Sequence, residues 1–439
     1  MAVSVSFIDL GCPKNQIDSE VMQSVLKDQG YALTDEIGEA QILVLNTCGF
    51  VQSAKEESID RIAELIGFKG RNRKLIVAGC LAQRYAGALL KGFPQIDGLL
   101  GINQLGDIGR ACNEILKGKK YFKSFSGPDH SGWIEAKRLR RDLPYAYIKI
   151  ADGCNNDCSY CAIPKIRGKY RSKPLDSILK EARELVFHGV KEVNLVAQDT
   201  TLYGIDLYGK KQLSLLLGEL SKIPQLRWIR LLYTHPAHFT HELVNQIASN
   251  DKVCKYIDLP LQHISNRILS EMNRKLNAKR ILFLIDKLRR RIPNLTLRTS
   301  LMVGFPGESK KEFRQLLDFV RETRFEKLGT FAYSREENTK AYHFGSQLSA
   351  RTKLERVDEL MMVQQQICFE ENNKKIGKVV EVLIESKENG YFISRSQAEA
   401  PEVDNVIYIE NKSARIGSFV RARVVKSYAY DLIAQTAGR

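Results

Sequence analysis

Three runs of buried-strand character, SVSFIDL, ILVLN and KLIVAG, alternate with helical stretches, and each leads into a cysteine within a few residues: Cys12, Cys48 and Cys80. Strand–helix alternation predicts a parallel sheet with helical crossovers. In an open sheet of that kind, ligands bind beyond the carboxyl ends of the strands. Three thiols from distant positions are therefore expected at one edge. One cysteine so placed reads as a small buried hydrophobe; three at equivalent topological positions read as a shared site. The helix IDSEVMQSVLKDQG is expected to end at Gly30. The helix SAKEESIDRIAELIGF is expected to open with Ser53 as N-cap and Glu56 completing a capping box.

This N-terminal open-sheet domain is expected over 1–116. From about Cys112 to Arg141 the pattern breaks, and the basic, Gly- and Ser-containing stretch GKKYFKSFSGPDHSGWIEAKRLRR reads as a linker over 117–140. Alternation then resumes on a larger scale. YAYIKI, EVNLVA, RWIRLLY, YIDLPL, LTLRTSLMV and LGTFAY are six candidate strands separated by amphipathic helices, which predicts a partial (βα)6 barrel over 141–372. Chemistry in such folds collects at the C-terminal ends of the strands. From Ile376 the texture changes to short strands with turns between them, KVVEVLIES, GYFISRS, NVIYIE, SFVRARVVKSY and DLIAQ. They predict a small antiparallel, OB-like β-barrel over 373–439. The fold class is α/β.

A length of 439 residues suits about two to four domains. The N-terminus lacks the basic start and apolar run of a secretory signal, and no stretch approaches the length of a membrane span. Nine cysteines, an odd number, do not form a secreted disulfide scaffold, so a reduced cytoplasmic setting with thiols available for metal is expected. The net charge of +16 is uneven: 1–116 carries 11 Lys and Arg against 14 Asp and Glu, whereas Lys117–Lys173 carries 14 against 5 and Arg274–Arg291 carries 8 against 1. A basic central surface is a footprint for a phosphate-rich partner. The spacing of Leu276, Ile281, Leu284, Ile285 and Leu288 also makes the second run an amphipathic helix.

The stretch GCNNDCSYC, Gly153 to Cys161, follows the first barrel strand and so lies on a loop at the catalytic face. A structural zinc site takes four protein ligands. Here Cys154, Cys158 and Cys161 supply three. Three thiolates can hold three corners of a four-iron, four-sulfur cluster and leave one iron open.

The C-x3-C-x2-C spacing, with an aromatic before the last cysteine, resembles the radical S-adenosylmethionine (SAM) signature. In that family the open iron chelates SAM, whose cleavage yields a 5′-deoxyadenosyl radical. Taken over the whole chain, the order of domains resembles the methylthiotransferase family, whose C-terminal barrel is called TRAM. The resemblance implies a second, auxiliary 4Fe–4S cluster on Cys12, Cys48 and Cys80. The family modifies either an adenosine of tRNA, with GCQMN usual at the first cysteine, or an aspartate of a ribosomal protein. GCPKNQIDSE, NTCGFVQSAKEES, AQDTTLYGIDLYG, YIDLPLQHIS and LMVGFPGE resemble the second branch. That branch methylthiolates the β-carbon of an aspartate in small-subunit ribosomal protein twelve, with one SAM supplying the radical and another the methyl group.

The resemblance and the strand-end positions imply SAM contacts from Tyr160, Gln198, Asp199, Gln262, Arg298 and Gly304, with no separate acid–base residues. His235 and His263, near strand ends, and Cys112, Cys254 and Cys368 read as structural. Implied partners are ribosomal protein twelve, free or within the ribosome beside its rRNA, and a reduced electron donor such as flavodoxin; a monomer is expected. The competing readings are a tRNA-adenosine methylthiotransferase and a non-catalytic iron–sulfur RNA-binding protein. Six cluster cysteines argue against the last, because binding alone requires no open irons.

Overall fold

The computed structural model describes residues 2–70, 72–123, 133–134, 136–139, 141–410 and 414–437; the middle of the expected linker, 124–132, lies outside them. The N-terminal sheet contains β1 (Ser4–Asp9), β2 (Ala32–Leu33), β3 (Ile42–Thr47), β4 (Lys74–Gly79), β5 (Gly98–Leu100) and β6 (Tyr121–Lys123). All its pairs are parallel, in the order β2-β1-β3-β4-β5-β6. β3 is buried at every position because helices cover both faces. Helices α1 (Pro13–Asp28) and α4 (Ile108–Leu116) pack Val21, Met22, Leu26 and Ile108 on one side. On the other, α2 (Gln52–Lys69) and α3 (Cys80–Gly92) pack Ile62, Leu65, Leu81 and Leu89. The last strand, β6, comes from the basic stretch read as a connection.

Two local expectations are corrected. Helix α1 begins at Pro13 with Cys12 at its N-cap, earlier than the sequence reading placed it, because proline fits the first helical turn. Helix α2 begins at Gln52 with Val51 at the N-cap, so Ser53 and Glu56 lie inside it and form no capping box. The Gln52 amide donates instead to Ser334 Oγ across 3.0 Å, so a residue of the central domain caps this end.

The central domain starts with β7 (Tyr145–Lys149). A short antiparallel pair follows, β8 (Ala151–Asp152) and β9 (Arg171–Ser172), which brackets the cysteine loop and helix α5 (Ile163–Arg167). Strands β10 (Glu192–Val196), β11 (Trp228–Leu231), β12 (Val253–Asp258), β13 (Thr296–Val303) and β14 (Lys327–Ala332) complete a six-stranded parallel sheet, with neighbours in chain order. One cluster on this sheet gathers Tyr147, Val196, Trp228, Leu232 and Tyr256, joined by Ile17 of α1 and by Leu383 and Ala400 of the C-terminal domain.

The C-terminal domain is a closed barrel of β15 (Val379–Glu388), β16 (Tyr391–Arg395), β17 (Ile407–Glu410), β18 (Phe419–Ser427) and β19 (Leu432–Thr436). Contrary to the wholly antiparallel expectation, β17 and β19 pair in parallel. The barrel docks through Arg395, whose guanidinium meets Glu192 at 2.8 Å at the start of β10; Glu192 also holds Arg230 at 2.7 Å. This leaves the C-terminal ends of the central strands to the cysteine loop. No helix among the described residues is long and apolar enough to cross a membrane.

Candidate iron–sulfur and SAM site

Cys12, Cys48 and Cys80 follow the adjacent strands β1, β3 and β4. The turns before Cys12 and Cys80 leave no room for side chains. Gly11 has φ +103°, and a Cβ there would lie 3.0 Å from Cys48 Cβ; Gly79 has φ +97°, and a Cβ there would collide with Asn46 and Thr47. Asn15 ties the three loops together. Its Nδ2 donates to Leu10 O (3.1 Å) and Thr47 O (2.9 Å), and its Oδ1 lies 3.6 Å from Cys80 Sγ. Ser58 brackets Cys48, accepting from its amide and donating to its carbonyl.

The environments of these thiols differ. Burial pushes the Cys48 thiol up and pushes Cys80 up to about 12. Burial also opposes ionisation of Cys12, but the charges of Lys14 and Arg167 overcome it and hold that thiol below its ordinary value.

The second group lies between β8 and β9. The Cys154 amide donates to Gly168 O and the Cys161 amide to Cys158 O, each at 3.1 Å. Ser159 anchors the loop by donating from its amide to Met272 O (3.0 Å) and from its hydroxyl to Glu271 O (2.7 Å). The Asn156 amide points at Cys154 Sγ across 3.4 Å, and Arg274 Nη1 at Cys158 Sγ across 3.6 Å. Burial raises Cys154 to about 11 and Cys161 to about 12. A metal overrides such shifts by binding the thiolate outright.

A buried ionic cluster joins the two groups. Arg167, on α5 just past Cys161, donates through Nη2 to Asn15 Oδ1 (2.8 Å) and Asp18 Oδ2 (3.0 Å), and the same nitrogen lies 3.4 Å from Cys80 Sγ. Its Nη1 donates to Asp152 Oδ2 at 2.9 Å. Lys149 meets Asp18 at 2.6 Å and Asp152 at 3.4 Å. Burial opposes ionisation of Asp152, but Arg167 and Lys149 hold its carboxyl well below the usual range. At the rim, Arg84 and Lys55 of the N-terminal domain share Glu336 at 2.6 and 2.9 Å.

The expected SAM contacts divide. Tyr160, one residue before Cys161, packs against the cluster formed by Ile268, Met272, Phe305, Tyr333 and Ala341. Gln198 Nε2 donates to Asp152 Oδ1 (2.7 Å), while its buried Oε1 has no partner among the described residues. Asp199 accepts from Asn156 Nδ2 (2.9 Å) and Thr201 N (3.1 Å) and pairs with His238 Nδ1 (2.7 Å). Gln262 takes φ +73° and bridges to β13 through its main chain. Gly304 also takes a positive φ and donates to Glu308. Arg298 stands apart from this group, committed to Asp258 at 2.8 Å and Asp404 at 3.6 Å.

His235 and His263 are buried, and their Nδ1 atoms accept from the amides of Ala237 and Ser265. Cys112, Cys254 and Cys368 are buried elsewhere. The sequence reading missed Arg274, Arg167, Lys14 and Asn156. The first two stood in basic runs counted as surface charge, and only proximity to cysteine motifs marked Lys14 and Asn156.

Ligand spacing tests what the thiols can hold. Among the described residues only Asp199, His235 and His238 bring three metal-ligand atoms within 4.8 Å of one another. Each cysteine group is therefore more open than a tetrahedral zinc site, whose sulfurs lie about 3.8 Å apart. Three thiols spread around a shared space, with no fourth cysteine, fit a cluster that keeps one iron open.

Known proteins resemble the chain in each of its three domains. Residues 148–320 match the Radical SAM superfamily, 4–101 match Uncharacterized protein family UPF0004, and 376–436 match the TRAM domain. The chain is 45% identical over 438 residues to the ribosomal protein uS12 methylthiotransferase RimO of Thermoanaerobacter sp. (strain X514), covering 98% of this chain and 99% of that one. It is 46% identical over 435 residues to the protein of the same name from Caldanaerobacter subterraneus subsp. tengcongensis, with the same coverage. A solved radical S-adenosylmethionine methyltransferase, TsrM from Kitasatospora setae with cobalamin and a [4Fe-4S] cluster bound, shares the fold at TM-score 0.58 and 16% identity, over 78% of this chain and 74% of that one.

Proposed function

Because the chain belongs to the RimO family of methylthiotransferases, we propose that it is a radical SAM transferase that places a methylthio group on the β-carbon of an aspartate in ribosomal protein uS12. The observation that carries this reading is similarity over 98% of the chain to enzymes of that name. Two three-thiol sites joined through Arg167 support it. Cys154, Cys158 and Cys161 would hold the SAM-binding 4Fe–4S cluster, and Cys12, Cys48 and Cys80 the auxiliary one. When bound, the clusters and SAM supply the radical, sulfur and methyl group that replacement of an unactivated C–H bond requires.

The chain's own task is binding, orientation and exclusion of water. Arg274 is suited to the SAM carboxylate: it is buried, it faces Cys158, and its Nε has no partner among the described residues. Gln198 offers a free buried carbonyl at the end of β10. Tyr160 gives an apolar wall. Asp199 holds Asn156 and so the cysteine loop. Gln262 and Gly304 shape the ends of the following strands. Arg298, already paired twice, would act by holding β12 and β13 together.

The enzyme would work in the cytoplasm as a monomer, reduced by a flavodoxin-like donor, with rRNA near its substrate. Mass spectrometry of ribosomal proteins and tRNA digests, with and without the gene, tests the reading. Loss of the methylthio mass from uS12 supports it. Loss of a methylthioadenosine from tRNA with uS12 unchanged overturns it.

A further inference from the structure

Nine lysines and arginines are buried among the described residues, and seven of them have a carboxylate within ion-pair distance. The two exceptions are Arg274 and Lys14. Arg274 donates to Cys158 Sγ and Pro260 O, at the SAM-side thiols. Lys14 is 7% exposed, and its ammonium has no hydrogen bond or ion pair among the described residues. It sits over the ring of Tyr233, whose centroid lies 3.4 Å from Nζ, and its charge also acts on the Cys12 thiol.

A lysine folded into the interior with no carboxylate in ion-pair contact, only an aromatic face and the neighbouring Cys12 thiol, retains capacity for an anionic partner. A tyrosine face attracts an ammonium but satisfies it less fully than a carboxylate does. An arriving carboxylate would supply that partner.

The position of Lys14 says which anion. It lies in the first turn of α1, two residues after Cys12, so its stem starts at the auxiliary thiols. Tyr233 lies just past the end of β11, and its amide donates to Asp258 Oδ2 across 2.8 Å at the end of β12. The ammonium thus reaches from the N-terminal domain to the C-terminal edge of the central sheet. A substrate carbon that gives up hydrogen on the SAM side and receives sulfur on the auxiliary side has to occupy this boundary. Arg167 and Lys149, the nearby alternatives, are spent on Asp18 and Asp152.

We propose that Lys14 binds the side-chain carboxylate of the aspartate that is modified, and so selects an acidic residue for the site. The inference rests on the reading of uS12 as substrate. In aspartate the β-carbon is one bond from the carboxylate, so a fixed carboxylate fixes the reacting carbon. An asparagine offers no charge to Lys14, and a larger acid would carry its corresponding carbon elsewhere.

The test is anaerobic binding of uS12 to the cluster-loaded full chain. Two forms of uS12 are compared, with aspartate or asparagine at the modified position, against wild type, Lys14→Met and Lys14→Arg. Removing one partner of a buried charge pair costs 2 kcal/mol or more, so wild type should prefer the aspartate form by at least about 30-fold. Lys14→Met should lose that preference, and Lys14→Arg should keep most of it. Iron content and the EPR spectra show whether each variant is folded and loaded; if Lys14→Met fails to load, the wild-type comparison of the two substrates still decides.

Equal binding of both forms by wild type overturns the proposal. So does a preference retained in Lys14→Met, including the case in which that variant instead loses the sulfide-dependent EPR change of the auxiliary cluster, which would assign Lys14 to sulfur. Wild type that binds neither form and modifies tRNA overturns the uS12 reading itself, and this is seen before any variant is made.

Discussion

Replacing Arg167 by methionine tests whether the buried ionic cluster holds the two thiol-bearing domains in register. Arg167, Lys149, Asp18 and Asp152 sum to zero charge, and all four are buried. Methionine keeps much of the volume but leaves two carboxylates facing one ammonium. Breaking a buried pair in this way costs about 3–5 kcal/mol, because the remaining charge is uncompensated. With a urea slope of about 2–3 kcal/mol per molar, the midpoint of the domain-opening transition should fall by about 1–2 M. Trp133 is a local reporter, since its ring lies 4.6 Å from the Lys149 ammonium, while Trp228 packs on Phe419 and reports on the C-terminal barrel. Following both separates the two interfaces in a chain too large to treat as one transition. The double variant Arg167→Met with Asp152→Asn is neutral again and should recover most of the loss.

The pH dependence has a definite sign. Asp152 is held below its ordinary carboxyl value, so its contribution is complete above pH 4 and is lost as pH falls towards the folded value. In Arg167→Met this acid limb should move to higher pH. A cost below about 1 kcal/mol, or a double variant no better than the single, would refute the view that charge balance holds this interface.

Further outcomes follow from other parts of the site. Cys48→Ala should lower iron content by one cluster's worth and abolish methylthiolated product, while reductant-driven SAM cleavage persists; full product yield would remove Cys48 from the auxiliary site. Arg274→Met should weaken SAM binding by at least about 30-fold, as expected when a charged partner of a carboxylate is truncated in a buried site, with Arg274→Lys in between; unchanged SAM affinity by calorimetry would reject the assignment. His263 is wholly buried, and burial lowers it to about 3. The unfolded chain binds a proton there below about pH 6.5 and the folded chain does not, so stability falls with pH at about 1.4 kcal/mol per unit. Between pH 7 and 5 the wild type should lose about 2 kcal/mol more than His263→Gln in urea unfolding, and parallel curves would show that His263 does not contribute.

Much of the architecture was readable because it rests on short-range pattern. β1, β3 and β4 read as apolar runs ending near cysteines, and the six central strands and the C-x3-C-x2-C loop were equally plain. The misreadings concern contacts between distant segments. Ser53 and Glu56 match the local pattern of a capping box, yet Ser334, 282 residues from Gln52, takes that role. Charge was the least legible property. Of the described cations in Lys117–Lys173, three are buried: Lys149, Arg167 and Lys173, each facing carboxylates. Arg274 opened a run read as one amphipathic helix, but the helix starts at Ala278 and Arg274 turns inward to Cys158. A window count treats every cation as surface, whereas burial depends on partners such as Asp18, which is 149 residues from Arg167. Once internal pairs are set aside, the chemically informative cations are the two without carboxylates, Arg274 beside the SAM-side thiols and Lys14 beside the auxiliary ones. The proposed reaction brings two carboxylates to the same boundary, that of SAM and that of the aspartate. Each of these cations already faces a thiol of its own site, Cys158 or Cys12, and an incoming carboxylate would be its second partner; under this proposal, substrate choice is tied to the same element that carries Cys12.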